Sequence, residues 1–299
     1  LSSLGSRGIV AGGRATTYGD TNNIDYFDIS TTGNASDFGD LIEPVSSAGA
    51  VASSTRGVYG GGYDGAYENT MQYVTIATTG NASDFGDMSI GNYAPTGGGS
   101  ETRGLYSGLR NIGAHTDIIE YITIASTGNT TDFGDLTTAR SEGNGACSST
   151  RYLQMGGGRT GAAGTNTIDY VTIATTGNAT DFGDLTNILS RLAGSLSSPT
   201  RAVRAAGYSP QTEVMDYVTI ATTGNATDFG DLTDTAYHVA ACCTHTRGVW
   251  GIGVLNTTSP SNTMEYITIA TTGNSADFGD LAISSFEREG LSNGHGGLT

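Results

Sequence analysis

The stretch "TIATTGNATDFGDL" occupies residues 172–185, and the same fourteen letters return at 219–232. Close variants follow each of six tyrosines, Tyr26, Tyr73, Tyr121, Tyr170, Tyr217 and Tyr266, at intervals of 47, 48, 49, 47 and 49 residues. A phrase repeated at that period marks one supersecondary unit written six times. A second marker keeps the same count: Arg7, Arg56, Arg103, Arg151, Arg201 and Arg247 each follow Ser/Thr-rich letters such as "SST" or "HT".

The fourth unit shows how the letters divide into strands. "GNGAC" (143–147) reads as a small-residue strand and "SST" as a turn. "RYLQMGGG" (151–158) reads as a second strand ending in glycines. "IDYVTIA" (168–174) alternates with period two, as a half-buried strand does. "TTGN" then turns the chain, with Gly177 and Asn178 as residue types that tolerate positive φ. "TDFGDL" (180–185) is the fourth strand. Nothing in the unit carries a 3.6-residue apolar stripe, so no helix is expected.

Four strands in about 48 residues, six times over, predict an all-β chain folded as one six-bladed β-propeller across residues 1–299. A β-helix would use shorter, more regular rungs. The small first strands suit a crowded centre. Phe38, Phe85, Phe133, Phe182, Phe229 and Phe278 suit packing between neighbouring units on the outer strands. "LSSLGSRGIVAGG" (1–13) supplies a second strand for the first unit, and "REGLSNGHGG" (288–297) resembles the start of a unit. The C-terminal piece is therefore expected beside the first unit, where it would close the ring. The chain begins at Leu1 without a Met or signal-like segment, and reads as a processed product or a portion of something longer.

"GNGACSSTRYLQMGGG" resembles the Kelch-repeat stretch that ends in a glycine pair, and "IDYVTIATTGNATDFGDL" resembles its tyrosine strand, turn and aromatic fourth strand. The resemblance covers nearly the whole chain. It departs where Kelch repeats place Trp on the last strand: this chain has Phe there, and its one Trp, Trp250, lies on a second strand. The near-verbatim "IATTGNATDFGDL" also resembles repeat proteins predicted from marine virus and phage genomes. That resemblance implies a virion-surface or extracellular protein.

Composition narrows the function classes. The chain has 29 acidic and 13 basic residues, all 13 of them Arg, and a net charge of -16. Such a surface repels nucleic-acid phosphates and anionic membranes. No apolar run approaches the ~18 residues of a membrane helix. Three cysteines, Cys147, Cys242 and Cys243, do not make a disulfide framework.

Chemical motifs are sparse. Six "DFG" triplets lack every other kinase element. The paired aspartates around them, such as Asp181 and Asp184, point to opposite faces of a strand, and a shared calcium would need a bulge at Gly183. Asn34, Asn81, Asn129, Asn178 and Asn225 stand in glycosylation sequons, but turn chemistry explains these and the sixth copy alike. "HVAACCTH" (238–245) mixes His and Cys, yet neighbouring cysteines on a strand diverge, so buried small hydrophobes are expected rather than zinc. The six repeated Arg residues are expected to bond turn carbonyls or an Asp of a neighbouring unit, a structural role, rather than to form an anion site. No catalytic triad, metalloprotease or sialidase motif is present, so no enzyme activity and no cofactor or metal is expected.

The copies differ where the second strand runs to the third and where one unit passes to the next. Both kinds of loop fall on the face opposite "SxTR" and "TTGN". Binding concentrates in such loops. Tyr18, Tyr63, Asp64, Tyr67, Arg110, His115, Arg159, Tyr208, Gln211 and Asn256 are the candidate ligand contacts, through stacking and planar hydrogen bonds. The expected partners are a host-surface glycan or protein receptor, or neighbouring virion proteins. An extracellular carbohydrate-binding or carbohydrate-active domain is the alternative.

Overall fold

The computed structural model describes residues 5–15, 19–160, 162–189, 193–208, 210–256 and 259–298. They form an all-β chain of antiparallel sheets, separate from one another and none closed on itself. Among the described residues, no helix is long and apolar enough to cross a membrane.

Each unit is a four-stranded meander. In the second, Gly49–Ala52, Arg56–Tyr63, Tyr67–Thr75 and Ser83–Asp87 pair in chain order. The third unit follows the same order from Thr96–Gly99 to Thr131–Asp135, and the fourth from Asn144–Cys147 to Thr180–Leu189. One long strand, Thr227–Cys243, serves as the last strand of the fifth unit and the first of the sixth. The first unit is completed from the far end of the chain. Glu289–Ser292 pairs antiparallel with Arg7–Ala11, Ile9 opposite Leu291.

First strands pack against first strands, and glycine makes this possible. An added Cβ at Gly97 would lie 2.0 Å from the Ala50 carbonyl oxygen, and one at Gly145 would lie 2.0 Å from that of Gly97. Contacts of this kind run from Gly49–Ala52 through each unit to Glu289–Ser292, which in turn touches Gly49–Ala52.

The repeated phrase is the joint between units. Asn81 Oδ1 accepts the Asp40 N–H at 3.1 Å, Asn225 Oδ1 accepts that of Asp184 at 3.1 Å, and equivalent bonds recur throughout. Thus Asn178 is not in the turn for positive φ; its side chain takes the Asp135 N–H of the preceding unit at 3.2 Å. The connection is also longer than a tight hairpin, spanning 173–179 between Ala162–Thr172 and Thr180–Leu189. The glycine of "DFG" answers to the same joint. Gly183 has φ +146°, and its α-carbon faces the Gly224 carbonyl, where a Cβ would come within 2.5 Å. A bulge does occur there, with Ile168 opposite Gly183 and Asp169 opposite Asp181.

The repeated arginines join units too. Arg56 Nη1 donates to the Ile124 carbonyl at 3.1 Å while its guanidinium stacks 4.3 Å from the Tyr73 ring centroid. Arg247 does the same with Ile29 and Ser30 of the first unit at 3.3 and 2.8 Å. Tyr73 in turn meets Phe85 edge-on at 6.0 Å, and that phenylalanine is buried. A carboxylate beside the tyrosine makes a further link. Glu120 accepts the Ser89 N–H of the preceding unit at 3.1 Å, and Asp169 accepts that of Thr137 at 3.0 Å. Asp169 is also paired with Arg140 at 2.8 Å, both side chains fully buried.

Candidate functional site

The variable-loop face is organised by a collar of backbone. Ser47, Ala94, Glu142, His238 and Glu287 stand at equivalent places two residues before first-strand positions, all with φ between 50° and 58°. None is glycine, so each holds a sparsely populated conformation. Hydrogen bonds between units account for it. Ser47 N–H donates to the Glu287 carbonyl at 2.8 Å, Ala94 N–H to that of Ser47 at 2.9 Å, and Glu142 N–H to that of Ala94 at 3.3 Å.

The collar surrounds a cavity of about 70 Å³, lined by Ser47, Pro95, Glu142, Ala193, His238 and Glu287 among others, one or more from every unit. A deeper cavity of about 90 Å³ continues it between the first strands. Spaces of this size hold a few waters and no sugar ring, so a large ligand has to sit on the rim.

The rim carries an aromatic cluster. Tyr63, Tyr67 and Tyr93 lie with ring centroids 6.0–6.3 Å apart. Arg14 stands over Tyr63 at 5.4 Å and Arg110 over Tyr93 at 5.5 Å. Each arginine is held by a carboxylate, Arg14 by Asp20 at 2.9 Å and Arg110 by Glu142 at 2.6 Å. Tyr93 donates its hydroxyl to Glu287 Oε1 at 3.1 Å, and His238 lies 3.9 Å from that oxygen. From His238 the rings continue to Phe286 and Tyr237, and from Tyr237 to Tyr208, each step 5.1 Å.

Burial sets the titration of this region. It pushes the Glu287 carboxyl above its ordinary value, against the opposing pull of Arg14 and the Tyr93 hydroxyl. It also raises Tyr93, aided by Glu287. Glu289, two residues further along and lining both cavities, is half-buried, and loss of solvent around its carboxyl pushes it up to about 8, which the Gly290 N–H only partly offsets. The Arg14 guanidinium is raised by its hydrogen bond to Asp20, although burial opposes it.

The sequence candidates divide in three. Tyr63, Tyr67 and Arg110 meet in the cluster. His115 adjoins it through Ser141 Oγ, 2.7 Å from Nδ1, and Tyr208 ends the string of rings. Asp64 is exposed beside Tyr63 and accepts the Ala66 N–H at 3.2 Å. Asn256 is tied to Asp234 at 2.9 Å, Arg159 is exposed at the end of its strand, and Gln211 is half-buried; none of these three joins the cluster. Tyr18 lies outside the described residues.

Sequence reasoning missed Tyr93, Glu142, His238 and Glu287. All sit in the passages between units, in "IGNYAP", "RSEGN", "AYHV" and "SFEREG", where the copies differ as much as in the second-to-third loops. Among the described residues, no group of three or more His, Cys, Asp or Glu could hold a metal ion. Cys242 and Cys243 diverge as expected, the first toward the Ile9 and Leu291 carbonyls and the second toward that of Ser197. The chain matches no protein-family model, and no curated protein matches it.

Proposed function

We propose that the chain is a six-bladed β-propeller acting as a non-enzymatic binding module, which presents the collar face to its partner. The cyclic run of first-strand contacts and the pairing of Glu289–Ser292 with Arg7–Ala11 support the propeller. Each four-stranded meander is then one blade.

The observation that carries the binding reading is the cluster of Tyr63, Tyr67 and Tyr93, flanked by Arg14 and Arg110, on the face where the copies diverge. The opposite face repeats the same turns in every unit. Half-exposed aromatic rings beside carboxylate-fixed guanidinium groups stack on sugar faces and bond planar polar groups. The partner in this reading is a host-surface glycan or receptor, and the resemblance of the repeated phrase to viral repeats supports a virion surface as the module's place. Single contacts of this kind are weak, and many copies per particle supply adhesion through multivalency.

The test replaces Tyr63, Tyr67 and Tyr208 with Ser together. Binding is read on a glycan array and on intact host cells, with folding checked by the melting midpoint. Loss of binding in a folded variant supports the reading. Unchanged binding sinks it and moves attention to the repeated-turn face. Glycan binding without any particle association favours a carbohydrate-binding domain of an extracellular enzyme.

A further inference from the structure

We propose that Cys147 is a reactive thiol with His295 as its base, and that the pair forms a site of covalent modification by small electrophiles entering the axial cavity. Cys147 ends the first strand of the fourth unit. His295 belongs to the C-terminal segment after Glu289–Ser292. Both line a cavity of about 60 Å³ walled largely by glycine, alanine and serine, at the end opposite the collar. Cys147 Sγ lies 3.6 Å from His295 Nδ1.

The remaining contacts of the imidazole fix its tautomer. Nε2 lies 2.9 Å from the Ala52 carbonyl oxygen, which can only accept, so Nε2 carries the proton. The Gly297 N–H donates to Nδ1 at 3.1 Å. Nδ1 is therefore the basic nitrogen, and it faces the thiol. Nδ1 has one lone pair, which the Gly297 N–H also uses, so transfer of the Sγ proton to Nδ1 releases that contact as it leaves a thiolate beside an imidazolium, the arrangement that makes a cysteine nucleophilic.

The surroundings favour that transfer. Burial alone would push the Cys147 thiol up, but His295, then the Gly99 N–H and the Ser197 hydroxyl, outweigh it and hold the thiol below its ordinary value. His295 is raised, burial being overcome by Cys147, the Ala52 carbonyl and Glu101. The other two cysteines supply the contrast. Burial pushes Cys243 up to about 12 and Cys242 higher still, and their thiols donate to carbonyl oxygens, which cannot act as bases.

The cavity admits only a reagent of a few heavy atoms. With iodoacetamide, the thiolate attacks the methylene carbon, an S–C bond forms, the C–I bond breaks and iodide leaves. The proton stays on His295 until solvent removes it. The adduct occupies space next to Gly297, where an added Cβ would already lie 3.0 Å from Sγ. Modification therefore displaces the segment around Gly297 from the cavity end.

The experiment treats the native protein with iodoacetamide across a pH series and reads each cysteine by peptide mass spectrometry. Cys147 is expected to label about tenfold or more faster than Cys242 and Cys243, with a midpoint below that of an ordinary thiol. In His295→Gln, the Cys147 rate at neutral pH falls and its midpoint moves up, while the other two are unchanged. Equal rates at all three cysteines, or an unmoved midpoint in a folded His295→Gln chain, overturn the proposal. Should that variant unfold, the wild-type profile decides: a Cys147 midpoint at or above the ordinary thiol value rejects it.

Discussion

Asn34, in the first copy of the repeated phrase, accepts a hydrogen bond from the Asp280 N–H of the last copy at 3.1 Å, across 246 residues of sequence. The bond has the same donor, acceptor and length as those between consecutive units, such as Asn225 with Asp184. The first and last units thus meet as any two neighbours do. Arg247 with Ile29 and Gly279 with Gly33 repeat the pattern at the same seam.

Asn34→Ala and Asn178→Ala are expected to cost similar stability, about 1 kcal/mol each for one lost side-chain-to-backbone bond. Denaturant unfolding of the two variants measures this. A loss at Asn178 with none at Asn34 would show that the seam does not hold in solution.

The two glycines of each phrase are expected to respond differently to alanine. Gly177, at φ +154°, has nothing within 4 Å of an added Cβ, so Gly177→Ala is limited to backbone strain of about 1 kcal/mol. At Gly183 the Cβ meets the Gly224 carbonyl at 2.5 Å, and two units have to separate. Gly183→Ala should cost about 3 kcal/mol. Equal melting midpoints for the two variants would refute the close approach of the phrases.

Much of this scaffold was legible because it is periodic. Strand order, the small first strands, the structural use of Arg151 and its equivalents, and the divergence of Cys242 and Cys243 all follow from residue type and spacing. What was not legible is what one unit does to the next. Asn178 looks like a turn residue, and only its neighbour's Asp135 N–H explains its side chain. The collar residues Ser47, Ala94, Glu142, His238 and Glu287 are of four different types, none of them glycine, so their common positive φ leaves no mark in sequence. Tyr93 and Glu287 stand 194 residues apart and meet on the rim. Tyr63 and Tyr67 were visible as loop aromatics, but the partners that fix them were not.

The buried pair Arg140–Asp169 has an uncharged counterpart in the same chain. At the equivalent joint Gln72 takes the Ile42 N–H at 2.7 Å, with buried Val45 in the place of Arg140. Asp169→Ala alone should cost about 3–5 kcal/mol, because it strands a fully buried guanidinium. Arg140→Val with Asp169→Gln copies the natural alternative, and most of that loss should be recovered. A double variant as unstable as Asp169→Ala would show that the two joints are not interchangeable.

Glu289 makes stability depend on pH in a predictable direction. Its carboxyl is pushed from an ordinary 4.5 up to about 8 by burial among the first strands. A raised carboxyl means that the folded chain holds a proton which the unfolded chain has released. Between those two values the folded state binds more protons, so stability falls as pH rises. The contribution is fully present below about 4.5 and lost as pH passes through about 8. Glu289→Gln keeps the shape and removes the titration, so its unfolding midpoint should decline less across that window than the wild type does. The comparison has to be made between variants, because Asp216 and Glu287 are raised by burial as well and slope the same way. Parallel pH profiles for Glu289→Gln and wild type would mean that water in the axial cavity solvates the carboxylate, and that the cavity is wetter than its walls imply.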